Sequence, residues 1–351
     1  MRSSTPASAP AEAPRPALLE VRGLTVSFRT RSGLVRAVDE VSFSVGEREI
    51  LGLVGESGSG KSVTVLAVLG LIGGPNAVVE GSIRFRGEEL VGASERTMRR
   101  LRGGAIAMIF QDPMTALTPV YSVGWQIVEQ LRIHTDLSRR AARARAVELL
   151  DAVGIADPAR TVDRFPHQLS GGMRQRVMIA MALSCNPALI LADEPTTALD
   201  VTVQAQILDL ILKLRAEFGT AVVLITHNLG VVAETADRVM VMYAGRIIES
   251  ASTTALFADP WHPYAWGLLG SIPPLGGARL ARLPSIPGLP PALSRLPRGC
   301  AFAPRCRFRR EPCRERPALA GAGAHRAACV IGVEERGALR AQALPLLAAG
   351  G

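Results

Sequence analysis

The chain has 351 residues, 48% of them hydrophobic and only 4% aromatic, with a formal net charge of +9, enough for one large domain or two smaller ones around an aliphatic core. No unbroken apolar run reaches the roughly 18 residues that a membrane-spanning helix needs; the nearest, Val177 to Ala192, is interrupted by Ser184, Asn186 and Pro187 and runs into Asp193-Glu194. The charge is uneven, with ten arginines against only Glu311 and Glu315 between Arg279 and Arg316.

Residues 1–17 begin rich in Ala, Pro and Ser without an apolar core, so a disordered leader is expected there rather than a signal peptide. A cytosolic chain follows, in which five cysteines argue against disulfides. Leu18 to Val26 and Ala37 to Val45 alternate enough for two strands, with a turn at Thr30-Arg31-Ser32-Gly33 between them. Phe28, just after the first strand, either stacks on a nucleotide base or packs against the hairpin; position alone leaves both open.

The apolar run Glu49 to Val54, the loop Gly55-Glu56-Ser57-Gly58-Ser59-Gly60-Lys61-Ser62 and the stretch Val63 to Leu69 read as strand, glycine-rich loop and helix. This is the phosphate-loop pattern in its expected context. Glycines allow a tight fold in which successive N–H groups and the positive end of the helix point at a phosphate chain. Lys61 is expected to reach the terminal phosphates and Ser62 to hold Mg²⁺.

Asn76 to Phe85 reads as a turn and short strand, and Ala105 to Phe110 as a strand delivering Gln111 to a loop, where a glutamine can sense a metal-bound phosphate and a lytic water. From Thr115 the alternation gives way to helical periodicity. Ser138 is expected to cap a basic amphipathic helix ending at Gly154, with Arg139, Arg140, Arg143 and Arg145 outward. This predicts an all-helical insertion between two strands of an α/β core, its arginines a solvated face. Leu169-Ser170-Gly171-Gly172-Met173-Arg174-Gln175-Arg176 then opens a long helix reaching Ser184, and Ser-Gly-Gly at a helix start is a second anion-ready end.

Ala188 to Ala192 is an unbroken apolar strand that places Asp193-Glu194 at its carboxyl end, where open parallel sheets bind ligands. Asp193 can hold Mg²⁺ through water and Glu194 can polarise a nucleophilic water. Asp200 is expected to cap a helix from Val201 to Phe218 closed by Gly219. The strand Ala221 to Ile225 leads to His227, which can bond a γ-phosphate, and Arg238 to Tyr243 with Arg246 to Ser250 form a hairpin about Ala244-Gly245.

In this order, Gly55 to Ser62, Gln111, Leu169 to Arg176, Leu191 to Glu194, Ala198-Leu199-Asp200 and His227 resemble the nucleotide-binding subunits of ABC transporters, over about Leu18 to Phe257. The resemblance implies a P-loop NTPase fold of the ABC type, α/β, with an inserted helical subdomain at about 115–184. It also implies a head-to-tail dimer, each ATP lying between one subunit's phosphate loop and the other's Ser-Gly-Gly. Carried over by position, Phe28 looks like the adenine-stacking aromatic, Lys61 and Ser62 like the phosphate and Mg²⁺ contacts, and Gln111 like the sensor of the Mg²⁺ site. Asp193 looks like the metal-supporting carboxylate, Glu194 the catalytic base and His227 the switch histidine. Ser170, Gly171 and Gly172 look like the trans ATP contacts, and Asp200 like the dimer-crossing loop. Met173 stands where glutamine is usual and Asn228 where aspartate is usual; neither substitution removes a catalytic group.

Trp261-His262-Pro263-Tyr264, Leu268 to Pro273 and Gly299 to Cys306 resemble the C-terminal extension of oligopeptide and dipeptide importer ATPases, here a small irregular region at 258–351. Cys300, Cys306, Cys313 and Cys329 lie six, seven and sixteen residues apart, in a segment broken by Pro304, Pro312 and Pro317. In a reducing compartment that suggests a metal site, but the spacing matches neither the usual zinc pattern nor the common ferredoxin patterns and leaves the metal open. The resemblance favours a [4Fe–4S] cluster at these four, with zinc the alternative, and Arg298, Arg305, Arg307 and Arg314 are expected to offset its negative charge. It further implies an ATPase on the cytoplasmic face of the cell membrane. The expected partners are a second ATPase subunit in a heterodimer, two membrane permeases and an external peptide-binding protein, with no nucleic acid. Import of nickel or another solute is the alternative within the family, and a soluble ABC ATPase acting on nucleic acid or the ribosome the alternative outside it.

Overall fold

The structure, a computed structural model, describes residues 17–31, 33–195, 201–271 and 286–349. The leader at 1–16, Asp200 and the Ile272-Pro273 end of the extension motif therefore lie outside the described residues.

Two sheets share the chain. The smaller is antiparallel, in the order β2-β1-β4-β5, built from β1 (Leu19–Thr30), β2 (Gly33–Val45), β4 (Ala77–Phe85) and β5 (Glu88–Glu89). The larger has eight strands in the order β11-β12-β10-β9-β3-β8-β7-β6. Its parallel part comprises β3 (Ile50–Val54), β6 (Ile106–Ile109), β7 (Leu189–Asp193), β8 (Ala221–Ile225) and β9 (Arg238–Tyr243). β10 (Arg246–Ser252), β12 (His325–Ala327) and β11 (Ala320–Ala322) extend it antiparallel. Every residue of β3, β7 and β8 is buried, as expected of parallel strands covered on both faces.

Between these strands run α1 (Lys61–Val68), α2 (Glu95–Leu101), α3 (Pro113–Ala116), α4 (Val123–His134), α5 (Arg139–Ala152), α6 (Pro158–Thr161) and α7 (Gly171–Leu183), then α8 (Val201–Phe218), α9 (Leu229–Thr235), α10 (Thr253–Ala258), α11 (Pro263–Gly270) and α12 (Val333–Ala349). α3 to α7 all fall between β6 and β7 in the chain, the helical insertion expected from the periodicity. α5 shows why it forms: Ser138 Oγ accepts from Ala141 N, and Ala142, Ala146, Leu149 and Leu150 repeat at helical spacing on a buried face. Burying Leu149 and Leu150 contributes about 1.5–3 kcal/mol each, and Gly154 ends the helix at φ +73°. Arg143 on the outer side pairs with Asp163 at 2.6 Å. No helix among the described residues is long and apolar enough to cross a membrane.

Two details differ from the sequence reading. Phe28 sits within β1, paired with Val35 of β2 and Ala77 of β4, half-buried against the core, because β1 continues to Thr30. The Arg residues near the cysteines are also differently engaged: Arg305 pairs with Glu56 in the glycine-rich loop, and Arg314 with its neighbour Glu311 at 3.1 Å.

Candidate functional site

The carboxyl ends of β3, β6, β7 and β8 deliver the predicted residues to one edge of the larger sheet. β3 ends at Val54 and the chain turns through Gly55 at φ +153°, Gly58 at +77° and Gly60 at +106° before α1. A Cβ at Gly55 would lie 2.2 Å from the Met242 carbonyl oxygen, and one at Gly60 2.5 Å from that of Ala37, so neither position admits a side chain. Gly60 caps α1 without a side chain, which leaves the first N–H groups of that helix for an anion. The loop is braced from behind by the β9–β10 hairpin. Ala244 and Gly245 both have positive φ, as a two-residue hairpin turn requires, and Gly245 N donates to Ser59 O at 2.8 Å.

Lys61 is buried and its Nζ donates to Gly55 O at 2.8 Å, Glu56 O at 2.9 Å and Ser59 Oγ at 3.3 Å. Burial lowers its pKa, with Glu194, Asp193 and Glu56 opposing. Ser62 Oγ donates to Asp193 Oδ1 at 3.1 Å across the sheet. Burial raises the pKa of Asp193, against the hydrogen bond from Ser62. Asp193 is 6% exposed, and a dication beside it would reverse that shift.

The parallel register sets Asp193 opposite Ile225, and Glu194 N donates to Ile225 O at 2.9 Å. That brings the residue after β7 beside the loop after β8: His227 Nδ1 lies 3.4 Å from Glu194 Oε2. Gln111 Nε2, just beyond β6, donates to the same Oε2 at 3.4 Å. Glu194 holds φ +47°, a left-handed conformation that costs a non-glycine residue of order 1–3 kcal/mol and is retained where surroundings or function demand it. Lysine, serine, carboxylate pair, glutamine and histidine thus converge from four chain segments on one edge. Such a set can cradle a polyphosphate, hold a divalent cation and orient a water.

Ser170 N-caps α7, its Oγ accepting from Met173 N at 3.3 Å. Gln175 of α7 donates to Pro195 O at 2.6 Å, tying that helix to the turn after Glu194. Asn228, the departure after His227, caps α9 by accepting from Gly230 N and Val231 N, a role aspartate could fill equally.

In the C-terminal part, Cys300, Cys306, Cys313 and Cys329 line one cavity together with His262, Phe302 and Ile331. Burial pushes the Cys306 thiol up to about 12 and raises Cys300 and Cys329, each further raised by neighbouring thiols of the set. Arg336, whose guanidinium lies 4.5 Å over the Trp261 ring, favours the Cys329 thiolate, and its Nη1 is buried without a hydrogen-bond partner. The donor set and this orphaned N–H suit an anionic occupant. The thiols nevertheless do not close around a point, since no three His, Cys, Asp or Glu side chains among the described residues are arranged to hold one metal ion.

Sequence reasoning missed the roles of Tyr264 and Arg305, which meet the phosphate loop at Glu56, of Tyr243, which packs behind both, and of Arg336 beside the thiols. The variable positions of the loop motif carry no signal about what packs behind them. The Trp261-His262-Pro263-Tyr264 and Gly299 to Cys306 runs marked these segments but not their contact with the loop.

Comparison with known proteins adds the following. The family profile described as ABC transporter matches residues 38–197, and that described as oligopeptide/dipeptide transporter, C-terminal region, matches 248–313. A protein named as a peptide import ATP-binding protein from Brucella melitensis biotype 1 is 53% identical over 323 residues, 89% of this chain and 96% of its own. One named as a peptide ABC transporter ATP-binding protein from Sinorhizobium fredii is 54% identical over 315 residues, 89% of this chain and 94% of its own. Among solved structures, the dimeric ATP-binding cassette MJ0796 in a post-hydrolysis state with ADP and Pi is 28% identical, with a TM-score of 0.61 over 67% of this chain and 98% of that one. CbiO1 from Clostridium perfringens, part of an ABC transporter complex, gives 26% identity and a TM-score of 0.57 over 69% of this chain and 91% of that one.

Proposed function

The chain belongs to the ATP-binding subunits of ABC transporters, and from that premise we propose that it hydrolyses ATP to power the import of di- or oligopeptides. The observation that carries the ATPase half is the convergence of Lys61, Ser62, Gln111, Asp193, Glu194 and His227 on one sheet edge. The peptide half rests on the match of 248–313 to the oligopeptide/dipeptide C-terminal region and on the relatives' names.

In this reading the loop Gly55 to Ser62 and the start of α1 bind the phosphates, and Phe28 meets the adenine with its exposed side. Ser62 would hold Mg²⁺, with Asp193 and Gln111 supporting it, and the ion would supply charge neutralisation for the polyphosphate. Glu194 aligns a water in line with the γ-phosphate and takes its proton. Lys61 and His227 meet the charge that develops on the transferred group, along with Ser170, Gly171 and Gly172 of the opposing subunit, whose Asp200 loop crosses the dimer. The His227 and Gln111 contacts to Glu194 Oε2 support this arrangement, because both side chains already point at the carboxylate.

By this account the nucleotide-binding domain spans 18–257, its helical subdomain about 115–184, and the extension 258–351. The subdomain receives the coupling helices of two permeases; the exposed stacked pair Tyr121–Trp125, with ring centroids 3.9 Å apart, and exposed Met114 and Phe165 support that surface. The chain then works at the cytoplasmic membrane face beside a second, homologous ATPase subunit and with an external binding protein. Cys300, Cys306, Cys313 and Cys329 would hold a [4Fe–4S] cluster, with zinc as the alternative, supplying a structural cross-link between the loops that carry them. Their shared cavity and Arg336 support that assignment. Anaerobically purified protein should contain iron and acid-labile sulfide; absence of both would reject the cluster.

The transport reading is tested by reconstituting the complex in vesicles with its binding protein. ATP turnover should rise on adding peptide, and mass spectrometry of the co-purified cargo should find peptides. Stimulation by nickel alone, or by no external solute, would reject it.

A further inference from the structure

Glu56, the second residue of the phosphate loop, is gripped from outside the nucleotide site. Arg305 donates from Nη1 to Glu56 Oε2 at 2.6 Å and from Nη2 to Oε1 at 3.0 Å, a two-point fork. The Arg305 side chain is 5% exposed, and its guanidinium carbon lies 5.9 Å from the ring centroids of both Tyr243 and Phe302. Its Nε donates to Pro287 O at 3.0 Å, which fixes the fork's direction. The Glu56 backbone N–H donates to Tyr264 OH at 2.8 Å. Tyr264 is itself buried in a three-ring cluster, 4.6 Å from Tyr243 and 5.4 Å from Phe302 between centroids. Both grips come from sequence more than 200 positions away.

The same residue is held from within, since Lys61 Nζ takes the carbonyls of Gly55 and Glu56. A loop with three glycines at positive φ has much conformational freedom to lose when it orders around phosphate. Fixing it beforehand lowers that cost and raises affinity without any new contact to ATP. Lysine at 305 could supply the charge but not the planar fork, and an unpaired Glu56 beside a buried, vacated pocket would be costly.

We propose that Arg305 and Tyr264 are positioning residues for ATP binding: through Glu56 they hold the phosphate loop in its anion-receiving form, so that the C-terminal extension sets the ATP affinity of the nucleotide domain. This rests on the reading of Gly55 to Ser62 as the ATP site. Arg305 adjoins Cys306, and the N–H groups of both donate to Phe302 O in the turn that carries Cys300, at 2.9 and 3.0 Å. The turn that presents two of the four thiols therefore also presents the fork.

The test is calorimetric titration of the purified full chain with ATP, paired with steady-state kinetics of the assembled transporter. Arg305→Met should raise the ATP dissociation constant about tenfold, Tyr264→Phe about threefold, and Arg305→Lys by an intermediate factor, effects in the range expected for a buried charged fork and a single neutral hydrogen bond. In the transporter KM for ATP should rise in step while kcat at saturating ATP stays within about twofold, the pattern of lost ground-state binding. Glu56→Gln should weaken binding similarly, and Glu56→Gln with Arg305→Met should be no worse than Arg305→Met alone. A dissociation constant unchanged in Arg305→Met, or an additive double variant, would overturn the proposal. Should Arg305→Met fail to fold, unchanged affinity in both Glu56→Gln and Tyr264→Phe would do so. Lys61→Met serves as the separate control: if it leaves ATP binding intact, the ATP-site reading itself fails, whereas lost binding there with normal Arg305→Met rejects only the clamp.

Discussion

The phosphate-loop edge and the four-cysteine cavity are the two places where we propose that the chain holds a charged group, and they are built in opposite ways. At the first, strand ends deliver the side chains, and the parallel register of β7 with β8 and β6 fixes where Asp193, Glu194, Gln111 and His227 emerge. Backbone bonds such as Gly245 N to Ser59 O complete the shape. At the second, the thiols stand on turns and short 3₁₀ segments around Glu311–Arg314 and after β12. They share a cavity without converging to ligating positions. A site made by a sheet edge is formed before its ligand arrives, whereas thiols on proline-broken loops would have to move to ligating positions to hold the proposed cluster.

That contrast predicts how each region fails. The largest effect belongs to Gly55→Ala, whose Cβ would press on the Met242 carbonyl; ATP affinity should fall by on the order of 100-fold, measured by titration, and unchanged affinity would break the claim of a backbone-made site. Cys306→Ser comes next. It should remove most of the iron, or zinc, found per chain by elemental analysis and lower the melting temperature by several degrees (~1–2 kcal/mol), while ATP binding falls by a smaller factor. Full metal content in that variant would remove Cys306 from the donor set.

The smallest effect on ligand binding is the last, a pH dependence of stability alone. His262 is fully buried, its Nδ1 accepts from Tyr264 N at 3.0 Å as the cap of α11, and burial together with the Arg336 charge lowers its pKa to about 3. The unfolded chain takes up a proton near pH 6.5 that the folded chain refuses. Stability is therefore full above about pH 6.5 and falls by up to about 1.4 kcal/mol per pH unit below it from this group. Denaturant midpoints between pH 7 and 5 should show that slope, and His262→Gln should flatten it.

The nucleotide edge was legible in sequence because its chemistry is written in short motifs flanked by periodic elements. Gly55 to Ser62, Asp193-Glu194 and His227 each follow a strand whose apolar run is unmistakable, and the hairpin at Ala244-Gly245 and the cap at Ser138 follow from local turn and helix chemistry. What stayed hidden depends on long-range packing. Phe28 was expected beyond its strand because pairing with Ala77, not local pattern, extends β1 to Thr30. Arg305 was expected beside the thiols because it adjoins Cys306, yet its side chain crosses to Glu56. Arg336 offered no signal at all, since one arginine in a helical stretch cannot announce a buried guanidinium.

The central claim is that the sheet edge carries out hydrolysis with Glu194 as the base, and Glu194→Gln in the assembled transporter tests it most directly. Glutamine keeps the size and the contacts to Gln111 and His227 but cannot take a proton. The account predicts an ATP dissociation constant within about threefold of the unmodified protein and steady-state turnover reduced by about 100-fold or more, as for loss of a general base. Normal turnover in that variant would contradict it.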